Sequence, residues 1–409
     1  MLIEFSVGNY RSFKEVVTFS MVAAPIVVGD NPINRNNLFS ATKEINLLKS
    51  TAIYGANASG KSNLVRAISF MKEFTINSVV GSRITSEINT DSYRLNTEFE
   101  GEPSYFEMVF IIGTARYRYG FEVDRQGVIS EWLYQTLRTK ESQLFDREGS
   151  RIKVFSKFGE GQSLENKTRK NALFLSVAAQ FNGKIAREII VWLHELNIFN
   201  SLDDDDYDNL TIDTLIQGHQ TQDLIGLVTS LDLGIQDIQM IKTPIPEFPG
   251  GISYEVKTAH WKYDREGNKV ATEYFELDED ESAGTQKLFN ISGLLINILQ
   301  AGEILIVDEL DARLHPLISC AIVKLFNSPI TNPRNAQLIF TTHDTNLLSA
   351  NMFRKDQIWF TEKDRYGATD LYSLVEYQIP DDAPFEQDYI AGKYGAIPFI
   401  GDLNRVLGK

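Results

Sequence analysis

The sequence is poor in the residues that build covalent or metal-held frameworks. It contains one cysteine, Cys320, so no disulfide can form within the chain. Its five histidines are scattered, and no spacing of Cys and His residues is typical of a zinc site. Proline is sparse, with 12 in 409 residues, so we predict no long linker. The 43% content of hydrophobic residues is instead typical of a globular protein with packed cores.

Long hydrophobic runs and an excess of positive charge are also absent. No window reaches about 18 uninterrupted apolar residues, and the opening MLIEFSVGNYRSF is unlike a signal peptide, so we predict a cytoplasmic protein with no membrane association. The 55 acidic residues outnumber the 40 Lys and Arg residues, which gives a formal net charge of −15. Contact with DNA or RNA would therefore need a local basic patch, or a form that the free monomer lacks.

The hydrophobic pattern predicts an α/β fold. The length suits one large domain with insertions, or two domains. Strands are predicted at 2–7, 15–22, 51–54, 171–177 and 235–278, an antiparallel β lobe at 75–160, and helices at 62–74 and 183–230. From residue 281 onward helices and strands alternate, as in a parallel sheet covered by helices.

The most specific motif is GANASGKS, which matches G-x-x-x-x-G-K-[ST] in full between a predicted strand and a predicted helix. Lys61 offers a charge to the β and γ phosphates, and Ser62 offers a hydroxyl to Mg²⁺. The motif predicts ATP and Mg²⁺ as cofactors. The expected nucleotide contacts are Gly55, Ala56, Asn57, Ala58, Ser59, Gly60, Lys61, Ser62 and Asn63.

Two further apolar strands are predicted to end in polar residues at the same sheet edge. EILIV is followed by Asp308 and Glu309, and QLIFTT is followed by His343. Beside a phosphate loop, these positions suit a magnesium ligand, a base that orients water, and a donor to the γ-phosphate. We therefore predict Glu309 and His343 as catalytic residues, and Asp308 with Ser62 as metal ligands.

The acidic run LDDDDYD at 202–208 has two interpretations. A solvated loop is the favoured one, and a carboxylate metal site is the alternative.

Taken in order, the stretches GANASGKS, ESAGTQK, ILIVDE, LDARLHP and FTTHD resemble ABC-type ATPases of the SMC and RecF kind. The resemblance implies that Ser282-Ala-Gly-Thr-Gln286 is a signature loop. Its Ser282 and Gly284 would contact an ATP molecule held by a second copy of the chain. The resemblance also implies that Asp311 belongs to the loop that crosses between subunits.

Two further site predictions come from the same resemblance. The opening NYRSF is similar to the first turn of those proteins, which implies nucleotide contacts by Asn9 and Arg11. Gln180, after the predicted strand NALFLSV, is the candidate for the glutamine loop, and would then contact both the nucleotide and Mg²⁺.

The resemblance also implies a three-part organisation. Residues 1–180 and 281–409 would be the two halves of an ABC-type ATPase cassette, a P-loop NTPase fold. Residues 181–280 would be a compact insertion of helices and strands where SMC proteins carry a coiled coil.

The sequence is most similar to stand-alone ATPases of phage-defence and abortive-infection operons, through KTAH at 257–260, DELDARLHP at 308–316 and AGKYGAIPF at 391–399. It resembles the ATPase subunits of PARIS, Septu and AbiL-type systems. This implies an ATPase that forms a homodimer or higher homo-oligomer around ATP and regulates or scaffolds a separate effector, a nuclease or a toxin, in antiviral defence.

Two other functions stay open at this point. One is a DNA-binding SMC/RecF-like ATPase of repair or chromosome maintenance, against which the acidic charge counts. The other is a nuclease within this chain, which would need the acidic residues at 203–206 as metal ligands.

Overall fold

The computed structural model describes residues 1–25, 32–79, 87–199, 206–218, 220–231, 234–245, 251–312, 314–349, 352–380 and 383–398. The strands are β1 (Leu2–Gly8), β2 (Val17–Ser20), β3 (Leu38–Ser40), β4 (Asn46–Leu48), β5 (Ser50–Tyr54), β6 (Ser104–Ile112), β7 (Ala115–Val123), β8 (Val128–Thr136), β9 (Glu141–Glu148), β10 (Arg151–Val154), β11 (Leu196–Phe199), β12 (Ile235–Pro244), β13 (Ile252–Tyr263), β14 (Lys269–Glu276), β15 (Ile304–Val307), β16 (Gln337–Thr341), β17 (Ile358–Lys363) and β18 (Thr369–Ser373). The helices are α1 (Pro32–Asn36), α2 (Lys61–Asn77), α3 (Phe174–Gln180), α4 (Lys184–His194), α5 (Asp206–Gln217), α6 (Thr221–Ser230), α7 (Ala283–Ala301), α8 (Pro316–Asn327), α9 (Asn346–Ser349) and α10 (Phe385–Ile390).

Two sheets form most of the structure. The first is antiparallel, with strand order β10-β9-β8-β7-β6-β1-β2, and contains the predicted β lobe. The second has the order β11-β15-β16-β5-β17-β18 and is parallel except for its edge strand β18. Smaller antiparallel sheets are formed by β12-β13-β14 and by β3-β4. The predicted α/β fold with mixed sheets is confirmed.

The strands of the parallel sheet are apolar because both of its faces are covered. In β15, Ile304 and Ile306 belong to a core shared with α2 and the β lobe, whereas Leu305 and Val307 belong to a core under α7 and α8. Successive side chains of a strand point to opposite faces, so a strand covered on both sides needs a continuous apolar run. Charged residues can follow only where the strand ends.

Helix α2 packs in the first of these cores. It buries Leu64, Ile68 and Met71, which lie four and three residues apart on one helical face. This packing fixes the start of the helix, where the phosphate-loop motif ends.

The prediction of a strand at 171–177 is wrong, because residues 174–180 form helix α3. The carboxylate of Glu131, on β8, accepts hydrogen bonds from the backbone N–H groups of Phe174 (2.6 Å) and Leu175 (3.0 Å). These bonds satisfy donors that the first turn of a helix leaves unpaired. A partner more than 40 residues away along the chain leaves no signal in the local pattern.

The boundary predicted at residue 181 does not coincide with a change of core. Helix α4 packs in the same core as α2 and the β lobe, and β11 pairs in parallel with β15. The segment that follows, from α5 to β14, has a separate core formed with two side chains of α7, Phe289 and Ile296. The three-part division itself stays a prediction.

Within the described ranges, no helix is both long enough and apolar enough to cross a membrane.

A buried ion pair holds the start of α3 against the β lobe. The side chains of Arg147 and Glu131 are almost fully buried and 3.5 Å apart. Arg147 also donates to the backbone oxygens of Gly149 (2.8 Å) and Ala172 (2.6 Å). Burial raises the pKa of the Glu131 carboxyl, which Arg147 and the backbone donors counteract.

We predict that Arg147→Met lowers the free energy of unfolding by about 3–5 kcal/mol, because it leaves the Glu131 carboxylate buried without its cation. Thermal and urea unfolding would measure the change. Arg151→Met is the matched control: it breaks an exposed pair with Glu148 on the neighbouring strands and should have little effect. Equal losses in the two variants would contradict the role assigned to burial.

Candidate nucleotide-binding site

An open pocket of about 490 Å³ surrounds the start of α2. It is lined by Asn57, Ala58, Ser59, Gly60, Lys61, Ser62, Asn63, Arg66, Glu309, His343 and Lys363. The structure thus brings together residues 57–63 of the predicted loop contacts and both predicted catalytic residues, which follow β5, β15 and β16. Gly55 and Ala56 do not line the pocket.

The backbone of the phosphate loop requires glycine at position 60. Gly60 has a φ of 123°, a conformation that residues with a side chain rarely adopt. A Cβ atom there would lie 2.4 Å from the Thr369 hydroxyl oxygen. That hydroxyl lies 2.7 Å from the backbone oxygen of Ser59, so the close approach is part of the support of the loop.

Lys61 is held inside the loop. Its ammonium donates to the backbone oxygens of Gly55 (2.8 Å) and Ala56 (3.1 Å), and its side chain is buried. Burial lowers the pKa of the ammonium, and nearby carboxylates, led by Asp308, oppose that shift. The charge is therefore fixed where the loop would receive phosphates.

Thr341 connects the carboxylate of Asp308 to the backbone of Glu309, just after β15. Its hydroxyl donates to Oδ1 of Asp308 (2.5 Å) and accepts the backbone N–H of Glu309 (2.7 Å). Asp308 is buried, whereas Glu309 is exposed and lines the pocket. Glu309 has a φ of 55°, which is uncommon for a residue other than glycine, and such strain occurs often in functional sites.

His343 lies at the same sheet edge. Its backbone N–H donates to Oδ2 of Asp311 (3.3 Å), so Asp311 is adjacent to the pocket although it does not line it. Desolvation lowers the pKa of the His343 imidazole, and the charge of Lys61 lowers it further, against the neighbouring carboxylates. A neutral imidazole can both donate and accept hydrogen bonds at neutral pH.

The oxygen donors at this edge fit Mg²⁺. The ion is commonly held by one or two carboxylates or hydroxyls together with substrate phosphates and water. Ser62 and Asp308 would supply the protein ligands, and the ion would neutralise phosphate charge when bound. In the part of the chain that the structure describes, no group of three or more His, Cys, Asp or Glu residues could hold a metal. The acidic residues 203–205 lie outside that part, and the side chain of residue 206 is not described.

Asn9 and Arg11 do not line this pocket, and their predicted nucleotide contacts stay a prediction. The buried amide of Asn9 donates to the backbone oxygen of Glu102 (2.8 Å) and accepts the N–H of Tyr93 (3.0 Å), so its polar atoms are occupied by the β lobe. Arg11 pairs with Asp91 at 3.2 Å.

Ser12, in the same turn, approaches the loop instead. Its hydroxyl accepts a hydrogen bond from the side chain of Asn63 (2.7 Å), and its backbone oxygen accepts one from the N–H of Thr369 (2.7 Å). The N-terminal turn therefore supports the phosphate loop indirectly.

Gln180 does not line the pocket, and its predicted contacts with the nucleotide and Mg²⁺ stay a prediction. It is exposed at the end of α3, and Asn182, two residues on, lines a separate pocket with Ile112. Strand β6 runs from Ser104, whose hydroxyl donates to the backbone oxygen of Asn9, to Ile112. Nine strand residues span roughly 26 Å, so Gln180 lies toward the end of the β lobe that is remote from Asn9.

The strand that ends beside Asp308 is β11. The backbone oxygen of Phe199, its last residue, accepts the N–H of Asp308 at 2.9 Å.

The predicted signature residues lie at the start of α7. Ser282 is the N-cap, and its hydroxyl accepts the N–H of Thr285 at 3.2 Å. The helix begins at Ala283. Ser282 is exposed, and neither it nor Gly284 lines the pocket of its own chain.

Several residues of the site carry no sequence signal strong enough to identify them. They are Ser12, Arg66, Thr341, Thr361, Lys363 and Thr369. Of these, Thr341 carries a weak signal, since a hydroxyl at the end of a buried apolar strand needs a hydrogen-bond partner. Arg66 and Lys363 add positive charge to the pocket, but isolated basic residues are common on any surface.

The fold and the loop define a P-loop nucleotide-binding protein of the α/β class. Residues 50–349 match the family described as "AAA domain, putative AbiEii toxin, Type IV TA system". The match covers most of the chain, so the chain belongs to this family. It includes the phosphate loop, the stretch 281–287 and both carboxylates. None of the curated proteins matches the chain.

We predict that Gly60→Ala weakens ATP binding by about tenfold or more, because the new Cβ meets Thr369 and the backbone becomes strained. A titration with a fluorescent ATP analogue would measure the affinity. The control is Gly226→Ala, at a helix position where a Cβ meets no atom within 4 Å. An unchanged affinity in Gly60→Ala would show that the loop tolerates a side chain at position 60.

Proposed function

We propose that this chain is an ABC-type ATPase that hydrolyses ATP between two copies of itself and regulates a separate effector in abortive infection. The observation that carries the proposal is the pocket shared by the phosphate loop, Glu309 and His343. Phosphoryl transfer to water needs positioning and neutralisation of charge more than covalent help, and this set supplies both.

Each residue has a role that its position supports. Lys61 neutralises charge on the β and γ phosphates from inside the loop. Glu309, exposed in the pocket, orients the attacking water and accepts its proton. His343, with its lowered pKa, donates a hydrogen bond to the γ-phosphate as a neutral imidazole. Thr341 holds Asp308 in place and fixes the backbone of Glu309.

Pairing of two copies is supported by the location of the signature stretch. The pocket is open, and Ser282 and Gly284 do not line it in the same chain. The N-terminus of α7 presents backbone N–H groups and the positive end of a helix dipole, which suits a γ-phosphate. In a symmetric pair, the start of α7 of each copy would cover the pocket of the other.

Regulation of a separate effector is supported by the family and by the sequence. The family description refers to a toxin and to a type IV toxin–antitoxin system. The sequence shows a complete set of ATPase motifs and no second catalytic motif, so we assign the damage to host or phage to a partner, a nuclease or a toxin. The similarity to PARIS, Septu and AbiL-type systems points to the same arrangement.

We predict that Glu309→Gln lowers the hydrolysis rate by about 10²–10⁴-fold, because water loses its base, while ATP binding is kept and ATP-bound pairs accumulate. Phosphate release and light scattering would measure rate and pairing. Glu303→Gln, at the other end of β15, is the control and should hydrolyse ATP normally. A wild-type rate in Glu309→Gln would refute the assigned base.

A mixture of two inactive variants tests the shared site. We expect Lys61→Ala and Ser282→Arg each to be inactive. Mixed pairs combine the intact phosphate loop of one copy with the intact signature stretch of the other, so an equal mixture should recover up to about a quarter of wild-type activity. Full activity of Ser282→Arg alone would rule out the role given to this stretch.

A further inference from the structure

The residue just before the signature serine is bound by the insertion. Oε1 of Glu281 accepts a hydrogen bond from the hydroxyl of Thr258 (2.5 Å) and lies 2.7 Å from Nε2 of His260. Since a carboxylate accepts but does not donate, the Nε2–H of His260 is the donor. Both partners are on β13, within the stretch KTAH, and the Glu281 side chain is only 9% exposed.

The rest of the turn between β14 and α7 is held by Gln286. Its amide nitrogen donates to the backbone oxygens of Leu277 (3.0 Å), Asp278 (3.1 Å) and Glu281 (3.1 Å). Gln286 thus closes the turn on itself. The turn contacts β13 at two points: near its start the N–H of Leu277 donates to the backbone oxygen of Val256 (3.1 Å), and at its end Glu281 is bound by Thr258 and His260. The second contact is the one next to Ser282.

Thr258 and His260 are themselves held in place by the surrounding sheet. β13 is the central strand of its sheet, paired with β12 and β14. Thr258 is fully buried, and the ring of His260 lies 4.6 Å from the ring of Phe275 on β14. The same sheet packs on α6 and on Phe289 of α7. The contact with Glu281 thus joins two elements that already share a core.

The charge of Glu281 makes its placement important. A carboxylate one residue before a serine that contacts phosphate would repel the anion unless it points away. The two donors on β13 hold Oε1 toward the insertion. They also order an otherwise exposed loop before a second copy arrives, which reduces the entropy lost on pairing.

We propose that Thr258 and His260 are positioning residues: by binding Glu281, they fix Ser282 and the first turn of α7 for contact with ATP on a second copy. This inference rests on the proposed function. Its consequence is that the insertion sets whether the signature stretch can complete a site.

The test compares variants that remove these hydrogen bonds with variants that keep them. Thr258→Val combined with His260→Leu should lower kcat by about tenfold or more and weaken the ATP-driven pairing of a Glu309→Gln background by a similar factor. The affinity of the single chain for ATP should not change, because neither residue lines the pocket. Thr258→Ser and His260→Gln keep a donor and should stay within about twofold of the wild type.

The control changes the same strand without touching the loop. Lys262→Gln removes an exposed ion pair with Glu273, two residues from His260, and should leave rate and pairing unchanged. The second variant is Thr258→Val alone. It keeps the shape of the side chain and so perturbs folding least, and it should also weaken pairing.

The outcomes separate this inference from the function on which it rests. If the wild type hydrolyses ATP and pairs, but the Thr258→Val variants match it in both measurements, the positioning role is wrong and the proposed function stands. If the wild type does neither, the proposed function fails first. A loss of ATP affinity in the single chain would also overturn the inference, since it would indicate a general structural defect.

Discussion

The burial of the parallel sheet on both faces is the constraint on which the candidate site depends. A short strand with no exposed face can carry no charge, so Asp308 and Glu309 stand at the first position where β15 allows them. β16 and β5 are buried in the same way, and they end at the same edge in His343 and in the phosphate loop. The apolar core therefore concentrates the chemistry at one edge.

Hydroxyl groups connect the parts of this edge. Thr341 joins Asp308 to the backbone of Glu309, and Ser12 joins Asn63 to the strand that carries Thr369. A hydroxyl can be buried at small cost when it is paired, whereas a buried charge needs a counter-charge or a shifted pKa. Supports made of hydroxyl groups leave the charges in the pocket free to act on a ligand.

The sequence predicts the parts of the site that depend on local patterns. A strand, a glycine loop and a helix follow one another in GANASGKS, and the apolar run before Asp308 marks a strand end, so both were found. Features that local patterns do not show depend on distant partners. Helix α3 starts where Glu131 of β8 binds its N–H groups, and Asn9 is occupied by the backbone near Tyr93. Gln180 was chosen for the strand expected before it, and residues 174–180 form a helix instead.

The position of the stretch 281–287 is set from two sides. Glu281 binds β13, and the buried ammonium of Lys287, one turn into α7, donates to the backbone oxygen of Ala312, in the loop that carries Asp311. The first turns of α7 therefore join β13 to the loop that carries Asp311. Asp311 in turn accepts the backbone N–H of His343, so hydrogen bonds and covalent structure connect β13 to the edge of the parallel sheet where the candidate site lies.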